Sequence, residues 1–208
     1  MKKVLFFFLV ISACTISASA RSMKDLWSSA PDSLFRYVDH NHRLEMTSFI
    51  DMGLKGDVDN QLGSKSVMDT ITNDYIHLTL SAQLSMAIKR LAVAGGDSVL
   101  CVVRTWSAPE KESSALLYDQ NWNLIGEAVE HSSDLKQQLL VRPDTMSEAN
   151  YRELLGEIDF TMVSYELAAD KPSLIVSLSI PAVDKVQKQR FSAIKKLKEL
   201  NWNGRTFN

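Results

Sequence analysis

The chain has 208 residues, of which 45% are hydrophobic, and its formal net charge at pH 7 is −2. Nucleic-acid binding needs a concentrated basic surface, so this slightly acidic balance argues against a nucleic-acid partner, and none is predicted. A chain of this length buries about 70% of its unfolded surface, which is enough for one hydrophobic core without disulfides.

The first 20 residues are predicted to be a secretory signal peptide that is cleaved. Two lysines precede an apolar run over residues 4–11, and the small residues Ala18-Ser19-Ala20 follow. The run is too short to span a hydrocarbon core of about 30 Å, which needs ~20 apolar residues. We therefore predict cleavage after Ala20 and a single domain over residues 21–208.

Cys14 offers a second interpretation of the same segment. Ile11-Ser12-Ala13-Cys14 fits the pattern of small residues before a cysteine that becomes lipidated in bacterial lipoproteins. A diacylated Cys14 would anchor the protein to a membrane, whereas cleavage after Ala20 would leave it unanchored. Either outcome predicts an exported protein, periplasmic or associated with the outer membrane or cell surface. No later stretch is long and apolar enough for a transmembrane helix in the mature chain.

Cleavage would leave Cys101 as the one cysteine of the mature chain. No internal disulfide is then predicted, even in an oxidising compartment. Cys101 lies in the apolar run 99–103, so we predict a buried small hydrophobic side chain rather than a reactive thiol.

The first third of the mature chain is predicted to be helical. Pro31 and Asp32 are typical of a first helical turn, because proline loses no hydrogen bond there and an acid suits the helix dipole. Asn41 can cap a second helix that ends at Gly53. A polar segment with glycines follows over residues 55–66.

The middle of the chain is predicted to form antiparallel strands. Residues 75–81 alternate apolar and polar side chains, and residues 84–88 continue the alternation. The run 99–103 is apolar on both faces, which is typical of an interior strand, and 115–118 is predicted to be its neighbour.

The last third combines helices and strands. Thr145 and Glu148 predict a capping box, strands are predicted over 160–167 and 174–180, and a helix is predicted over 183–197. An Asn-Gly pair near the C-terminus is a hairpin signal. The predicted fold is α+β: a mainly antiparallel β-sheet packed against helices in a single domain.

Four groups of residues, spread over nearly the whole mature chain, carry a family resemblance. They are Trp27…Ala30-Pro31-Asp32-Ser33-Leu34…Tyr37, Asn41-His42-Arg43-Leu44-Glu45-Met46…Phe49, Tyr118-Asp119…Trp122-Asn123 and Trp202-Asn203-Gly204…Phe207. The chain resembles uncharacterised secreted proteins, grouped as a domain of unknown function, of Gram-negative gut bacteria of the Bacteroidetes. The resemblance implies export and one compact domain, and it brings no established activity.

The histidines do not assemble a metal or catalytic site in the sequence. His40 and His42 are spaced for two ligands, but zinc needs three or four, and no further ligand lies nearby. His77 and His131 are candidate bases for which the sequence supplies no paired nucleophile. We therefore assign no catalytic residue, no metal site and no cofactor.

The resemblance also implies a modification. Ser33, Thr70, Ser98 and Thr145 each follow an aspartate and precede an aliphatic residue, or methionine. Bacteria like the implied source attach O-glycans at such tripeptides on exported proteins. Turns and helix starts prefer the same Asp-Ser/Thr pairs, so a structural role is the alternative.

The leading functional hypothesis is a non-enzymatic binding or interaction domain of the cell envelope, with an envelope protein or a glycan as its partner. This hypothesis rests on the predicted export and on the absence of an assembled catalytic site in the sequence. Four tryptophans are available for recognition. One alternative is a hydrolase whose site combines distant residues. The other is a structural envelope component.

Overall fold

A computed structural model describes residues 21–130 and 135–208, and fifteen helices and strands are assigned within these ranges. The helices are α1 (Met23–Ser28), α2 (His40–Asp51), α3 (Leu135–Gln138), α4 (Glu148–Gly156) and α5 (Lys185–Ile194). The strands are β1 (Gly56–Asp59), β2 (Lys65–Ile71), β3 (Tyr75–Thr79), β4 (Leu84–Ala92), β5 (Ser98–Trp106), β6 (Glu112–Tyr118), β7 (Leu124–Glu127), β8 (Met162–Leu167), β9 (Ser173–Ser179) and β10 (Lys198–Asn201). Not one of the described helices combines the length and the apolar character needed to cross a membrane.

Strands β1 to β7 form one sheet in which each strand pairs with its neighbours in sequence. Every pair is antiparallel, as predicted for the middle of the chain. The longest pair joins β4 to β5, from Leu84 opposite Trp106 to Ala92 opposite Ser98. This meander leaves β1 and β7 as the two edges of the large sheet.

Strands β8, β9 and β10 form a second antiparallel sheet in the order β10-β9-β8. Its apolar side chains pack against one face of the large sheet, and α1, α2 and the turns between them pack against the other face. A smaller apolar cluster joins α4 and α5 beside the end of β9. The predicted single α+β domain with an antiparallel sheet is confirmed, but the main cover differs between the two faces of the large sheet: α1 and α2 cover one face, and a second sheet covers the other.

The central strands explain why both faces need a cover. On β4 and β5, Met86 and Val102 point into the helical side of the core, while Ala87 and Val103 point toward the small sheet. A strand with apolar side chains on both faces has no side that can face water, so it must lie inside a layered structure. Cys101, on β5, is fully buried, as predicted. Burial raises the pKa of the Cys101 thiol and keeps it protonated at neutral pH.

Arg43 organises the N-terminal layer. Its side chain is only 1% exposed, and its guanidinium donates hydrogen bonds to the carbonyls of Val38 and Ala30. Asp32 Oδ1 lies 2.8 Å from Arg43 Nη2 and neutralises the buried charge.

Aromatic rings enclose the same guanidinium. Arg43 Cζ lies 6.0 Å from the ring centroid of Trp27 and 5.9 Å from that of Phe35, within the range of cation–π attraction. Trp27 Nε1 donates to the main-chain carbonyl of Arg43 at 3.2 Å, so the side chain and the backbone of one residue both bind α1 and the following turns.

Two N-terminal predictions are corrected by these contacts. The helix predicted to begin at Pro31 is a series of turns, because the carbonyls of Ala30 and Val38 turn inward to Arg43 instead of bonding along a helix. Asp39, rather than Asn41, caps α2, and its side chain accepts the N–H of His42 at 3.0 Å. Gly53 follows the end of α2 with φ 72°, as predicted for a helix stop.

Further along the chain, the polar segment 55–66 contains strand β1. The sequence did not predict this strand because aspartates, which are uncommon in strands, occupy two of its positions. The helix cap predicted at Thr145 lies two residues later, at Ser147, whose side chain accepts the N–H of Asn150. The C-terminal hairpin is confirmed, since Asn203 N–H donates to the Thr206 carbonyl at 3.1 Å and Gly204 takes a φ of 95°.

We predict that Arg43→Met destabilises the fold by about 3 kcal/mol, since two buried carbonyls lose charged partners and each unsatisfied acceptor costs ~1–3 kcal/mol. The matched control is Arg36→Ala, an exposed arginine of the same segment, for which a change within about 0.5 kcal/mol is expected. Urea unfolding followed by tryptophan fluorescence measures both. Equal stabilities of the two variants would contradict the role assigned to Arg43.

Candidate functional site

A cleft of about 680 Å³ opens where the small sheet stops covering the large one. The small sheet ends at its edge strand β8, which contacts β4, β5 and β6. The floor of the cleft is the face of the large sheet beside β8, and its walls are β8 and the loop 168–171. Polar side chains from both sheets converge on the cleft: His77, Ser85, Thr105, Lys111, Glu166 and Ser177.

A β-bulge places a carboxylate beside His77. The register between β2 and β3 shifts between Met68 and Thr70, which leaves Asp69 as the extra residue. Asp69 Oδ2 therefore reaches two residues of β3: it lies 3.0 Å from His77 Nδ1 and accepts the Thr79 hydroxyl at 2.9 Å. The His77 side chain stays 37% exposed, so the ring is held on one side and open to the cleft on the other.

A row of hydroxyl side chains crosses the floor. The strand registers place Thr79 opposite Ser85, Ser85 opposite Thr105, and Thr105 opposite Ser113. Thr105 Oγ1 and Ser113 Oγ lie 2.8 Å apart, and Ser113 Oγ accepts the main-chain N–H of Tyr165 at 3.0 Å. The row thus joins the floor to β8 and offers hydrogen bonds to a polar ligand.

Two tyrosines line the same cleft. Burial, with a smaller effect from the Glu166 carboxylate, raises the pKa of Tyr75. Burial, with a smaller effect from Glu127, likewise raises the pKa of Tyr165. Both phenols therefore stay protonated at neutral pH and are neutral hydrogen-bonding groups rather than nucleophilic phenolates.

Lys89 fixes the wall to the floor. This lysine of β4 is 2% exposed, and its Nζ donates to the carbonyl of Ala169 at 2.8 Å. The same Nζ lies 3.3 Å from Asp74 Oδ2 and 5.7 Å from the ring centroid of Tyr75. Because Ala169 lies in the loop 168–171, the buried charge sets the position of that loop over the large sheet.

The structure separates the histidines. His40 Nδ1 bonds with the carbonyl of Ser28 at 2.9 Å, and His42 Nδ1 lies 2.9 Å from Asp39 Oδ1. Both are at the start of α2, where residues two apart point in different directions. Within the described ranges, no three His, Cys, Asp or Glu residues are grouped to hold a metal ion. His131 and Cys14 lie outside the described residues.

The tryptophans lie away from the cleft. Trp27 and Trp122 are buried in the core under the helices. Trp202 packs on Phe207 with ring centroids 5.2 Å apart. Trp106 is 43% exposed at the end of β5, but it does not line the cleft.

The four predicted glycosylation residues occupy different environments. Ser33 and Thr145 are exposed in turns, whereas Thr70 and Ser98 are half-buried in strands β2 and β5. The aspartate before Ser33 is the partner of Arg43, and Asp97, before Ser98, accepts the Ser98 N–H at 2.7 Å. Structural contacts thus explain the aspartates of both Asp-Ser pairs, and exposure favours Ser33 and Thr145 as acceptors.

The sequence offered His77 only as a candidate base without a paired nucleophile, and it did not indicate the residues that surround His77 in the cleft. Ser85 and Thr105 belong to an alternating pattern that any half-buried strand shows, so nothing in the sequence singles them out. Lys89 gave a signal that could have been used, because Lys89 and Arg90 place charges on both faces of the largely apolar strand β4. A charge at such a position predicts a specific partner.

Three comparisons with known proteins bear on this fold. The model of the family described as "Protein of unknown function (DUF3256)" matches residues 15–207. A solved structure, described as a domain of an uncharacterized protein from Porphyromonas gingivalis W83, matches with a TM-score of 0.71 at 16% sequence identity. The match covers 88% of this chain and 96% of that chain, and at this identity it concerns the fold alone. No curated protein matches the chain.

We predict that Lys89→Met loosens the wall of the cleft without unfolding the protein. Global stability should change by less than about 2 kcal/mol, because an apolar side chain replaces a buried charge whose partner Asp74 is half exposed. Amide exchange at Ala168 and Ser173, whose N–H groups close the loop by donating to the Ser173 and Lys171 carbonyls, should accelerate roughly tenfold or more, since a hydrogen bond to a charged group contributes ~1.5–3 kcal/mol.

The control is Lys171→Met, which removes the exposed ion pair between Lys171 and Glu199 from the same loop. Exposed pairs contribute little, so exchange in the loop should change much less in this variant. Hydrogen exchange read by mass spectrometry compares the two. The same exchange rates in both variants would show that Lys89 does not hold the loop.

Proposed function

The chain belongs to the DUF3256 family of proteins of unknown function, and we propose that it is an exported, non-enzymatic binding domain of the cell envelope whose ligand occupies the cleft. The observation that carries the proposal is the convergence of polar side chains from both sheets on one concave site of about 680 Å³. This volume lies within the usual range of ligand sites, and convergent polar groups are how such sites orient a ligand.

The proposal of binding rather than catalysis rests on how the hydroxyls are engaged. Thr79 donates to Asp69, and the hydroxyls of Thr105 and Ser113 bond to each other. A nucleophilic hydroxyl needs a base within hydrogen-bond reach, and among the described residues His77 has its hydrogen-bonded contact with Asp69 rather than with a hydroxyl. The cleft is therefore better suited to hold a polar ligand than to attack it.

A hydrolase is the second candidate, and the Asp69–His77 pair favours it. A carboxylate on Nδ1 orients the imidazole, and the opposite ring nitrogen could take a proton from a water molecule in the cleft. The two candidates differ in the fate of the ligand. A binding domain releases the ligand unchanged, whereas a hydrolase releases it cleaved and loses this activity on His77→Ala. A purely structural envelope component would have no ligand in the cleft.

We predict that a photo-reactive amino acid at position 85, on the floor of the cleft, captures a ligand in native envelopes. The same amino acid at position 48 is the control, because Ser48 is exposed on α2 and lies on the helical side of the domain. Mass spectrometry of the purified adducts identifies what is captured. The expected result is one defined species from position 85 and none from position 48.

Equal capture from the two positions, or no capture from either, would contradict a ligand site in the cleft. The captured species also separates the two candidates. An intact species, recovered unchanged after incubation with the protein, supports binding, and cleavage that requires His77 supports the hydrolase.

We predict that the native protein, isolated with its envelope fraction, has an N-terminus at Arg21 and carries O-glycans on Ser33 or Thr145. The first expectation follows from the Ala18-Ser19-Ala20 cleavage pattern. The second follows from the exposure of these two hydroxyls in turns. Intact-mass measurement followed by glycopeptide sequencing reads both, with Ser33→Ala and Thr145→Ala as controls for the acceptor.

A lipid-modified N-terminus at Cys14 would instead establish the lipoprotein alternative. Retention of the first 20 residues in the native protein would contradict export by this signal. A native mass equal to that of the bare chain from Arg21 would rule out the glycans.

A further inference from the structure

Positive charge is concentrated in one short segment of a domain that is otherwise acidic. Residues 183–198, which include α5, carry six basic side chains and one acidic side chain. The remaining residues from Arg21 to Asn208 carry fifteen basic and twenty-four acidic side chains. The electric field of such a domain directs this segment toward an anionic partner.

Part of this positive charge is already compensated within the domain. Lys188 Nζ lies 3.6 Å from Glu110 Oε1. Arg190 Nη1 lies 2.8 Å from Glu157 Oε1. Three exposed lysines of the segment have no carboxylate partner among residues 21–130 and 135–208: Lys185, Lys195 and Lys196. Their charges are available to a partner.

Two exposed valines lie among these free charges. Val183 is 91% exposed, and Val186 is 68% exposed. Two hydrogen bonds order the turn before α5: Val183 N–H donates to Gln187 Oε1 at 2.9 Å, and Gln187 N–H donates to Asp184 Oδ1 at 2.8 Å. An ordered turn thus holds Val183 in water, and burial of both valines against a partner would be favourable.

The inner side of α5 fixes this surface to the domain. Phe191 and Ile194 are buried in the apolar cluster that joins α4 to α5. Lys185, Gln189 and Ala193 recur every fourth residue, so they share a face of the helix, and all three are exposed. The outer face of α5 is therefore presented to solvent on a helix that its inner face holds in place.

We infer that the outer face of α5 binds a membrane that contains anionic phospholipids. The contact surface, which we call the α5 surface, consists of Val183, Lys185, Val186, Lys195 and Lys196. Ammonium groups attract the phosphates of anionic headgroups, and exposed apolar side chains enter the boundary between headgroups and acyl chains. The inference goes beyond the proposed function, because none of these five residues lines the cleft.

An acidic protein fits the α5 surface less well. Lysine is depleted at protein–protein interfaces, whereas aromatic residues and arginine are enriched there. The α5 surface has three lysines and two valines, so it lacks the large side chains that anchor a protein partner. Lysine is instead well suited to a membrane surface, because its flexible stem lets the charge reach a headgroup.

Flotation of the chain from Arg21 to Asn208 with lipid vesicles tests the inference. Vesicles of phosphatidylglycerol and phosphatidylethanolamine should bind the protein at low salt, whereas vesicles of phosphatidylcholine alone should not. Raising the salt concentration to about 1 M should release the protein, because charges are then screened beyond about 3 Å.

A triple variant removes the free charges of the α5 surface: Lys185→Gln, Lys195→Gln and Lys196→Gln. Its affinity for the anionic vesicles should fall roughly a hundredfold, since each lysine near an anionic membrane raises the affinity roughly fivefold.

The matched control removes the same charge from three exposed positions outside this segment: Arg36→Gln, Lys55→Gln and Arg205→Gln. Its affinity for the anionic vesicles should fall much less, because these side chains do not belong to the α5 surface.

A dye at position 183 reports which face of the domain meets the membrane. Val183→Cys is labelled with a polarity-sensitive fluorophore, while the buried Cys101 stays unlabelled. Anionic vesicles should shift the emission to shorter wavelengths. The same dye on Ser48→Cys, at an exposed position of α2, should show no shift.

The absence of binding to anionic vesicles, or equal binding to neutral ones, would overturn the inference. Equal losses of affinity in the two triple variants would overturn it as well, because net charge alone would then govern binding. A shift at position 48 without one at position 183 would do the same. A soluble acidic protein that binds through the three lysines, while vesicles do not, would make that protein the partner instead. Capture at position 85 tests the cleft separately, so failure of the α5 surface leaves the proposed function intact.

Discussion

The rest of this structure depends on strands β4 and β5, whose side chains are apolar on both faces. Met86 and Val102 need a cover on one side, while Ala87 and Val103 need a cover on the other. Burying an apolar side chain of this size contributes roughly 1.5–3 kcal/mol, so leaving either face in water would cost more than a small domain can lose. The N-terminal layer covers one face, and the small sheet covers the other.

The cleft follows from the unequal size of the two sheets. Three strands cannot cover a face built from seven, so the small sheet ends at β8 and leaves the far side of the floor open. The open part carries His77, Thr79 and Ser85, where the covered part carries Ala115 and Leu117. Lys89 stands at the boundary, where its aliphatic stem is buried and its Nζ reaches the loop 168–171. The position of the site is thus a consequence of packing rather than of an added loop.

The sequence predicts the strands whose burial is visible in the spacing of apolar residues. It does not predict the features that depend on tertiary contacts, such as the N-terminal turns and the cleft. The run 99–103, which is apolar on both faces, predicts an interior strand, and the alternation over 75–81 predicts a half-buried strand. These predictions hold because successive side chains of a strand point to opposite faces, so the sequence itself shows which faces are buried. The turns after Pro31 could not be predicted, since they depend on a guanidinium, that of Arg43, whose burial the sequence does not reveal. The cleft was missed for the same reason: its residues come from β3, β4, β5, β8 and β9, and only the folded sheets bring them together.

The use of the aromatic residues bears on how the cleft would recognise a ligand. Trp27 and Phe35 enclose Arg43, and Trp122 packs on Phe35 with ring centroids 5.3 Å apart, so the large rings stabilise the N-terminal layer. Recognition of the proposed ligand in the cleft would then rely on hydrogen bonds, each contributing about 0.5–1.5 kcal/mol net. Association itself costs roughly 4–15 kcal/mol. A few hydrogen bonds in the cleft would therefore give weak, reversible binding, and any strong preference among ligands must come from ligand groups that enter the space beside Ser85 and Glu166.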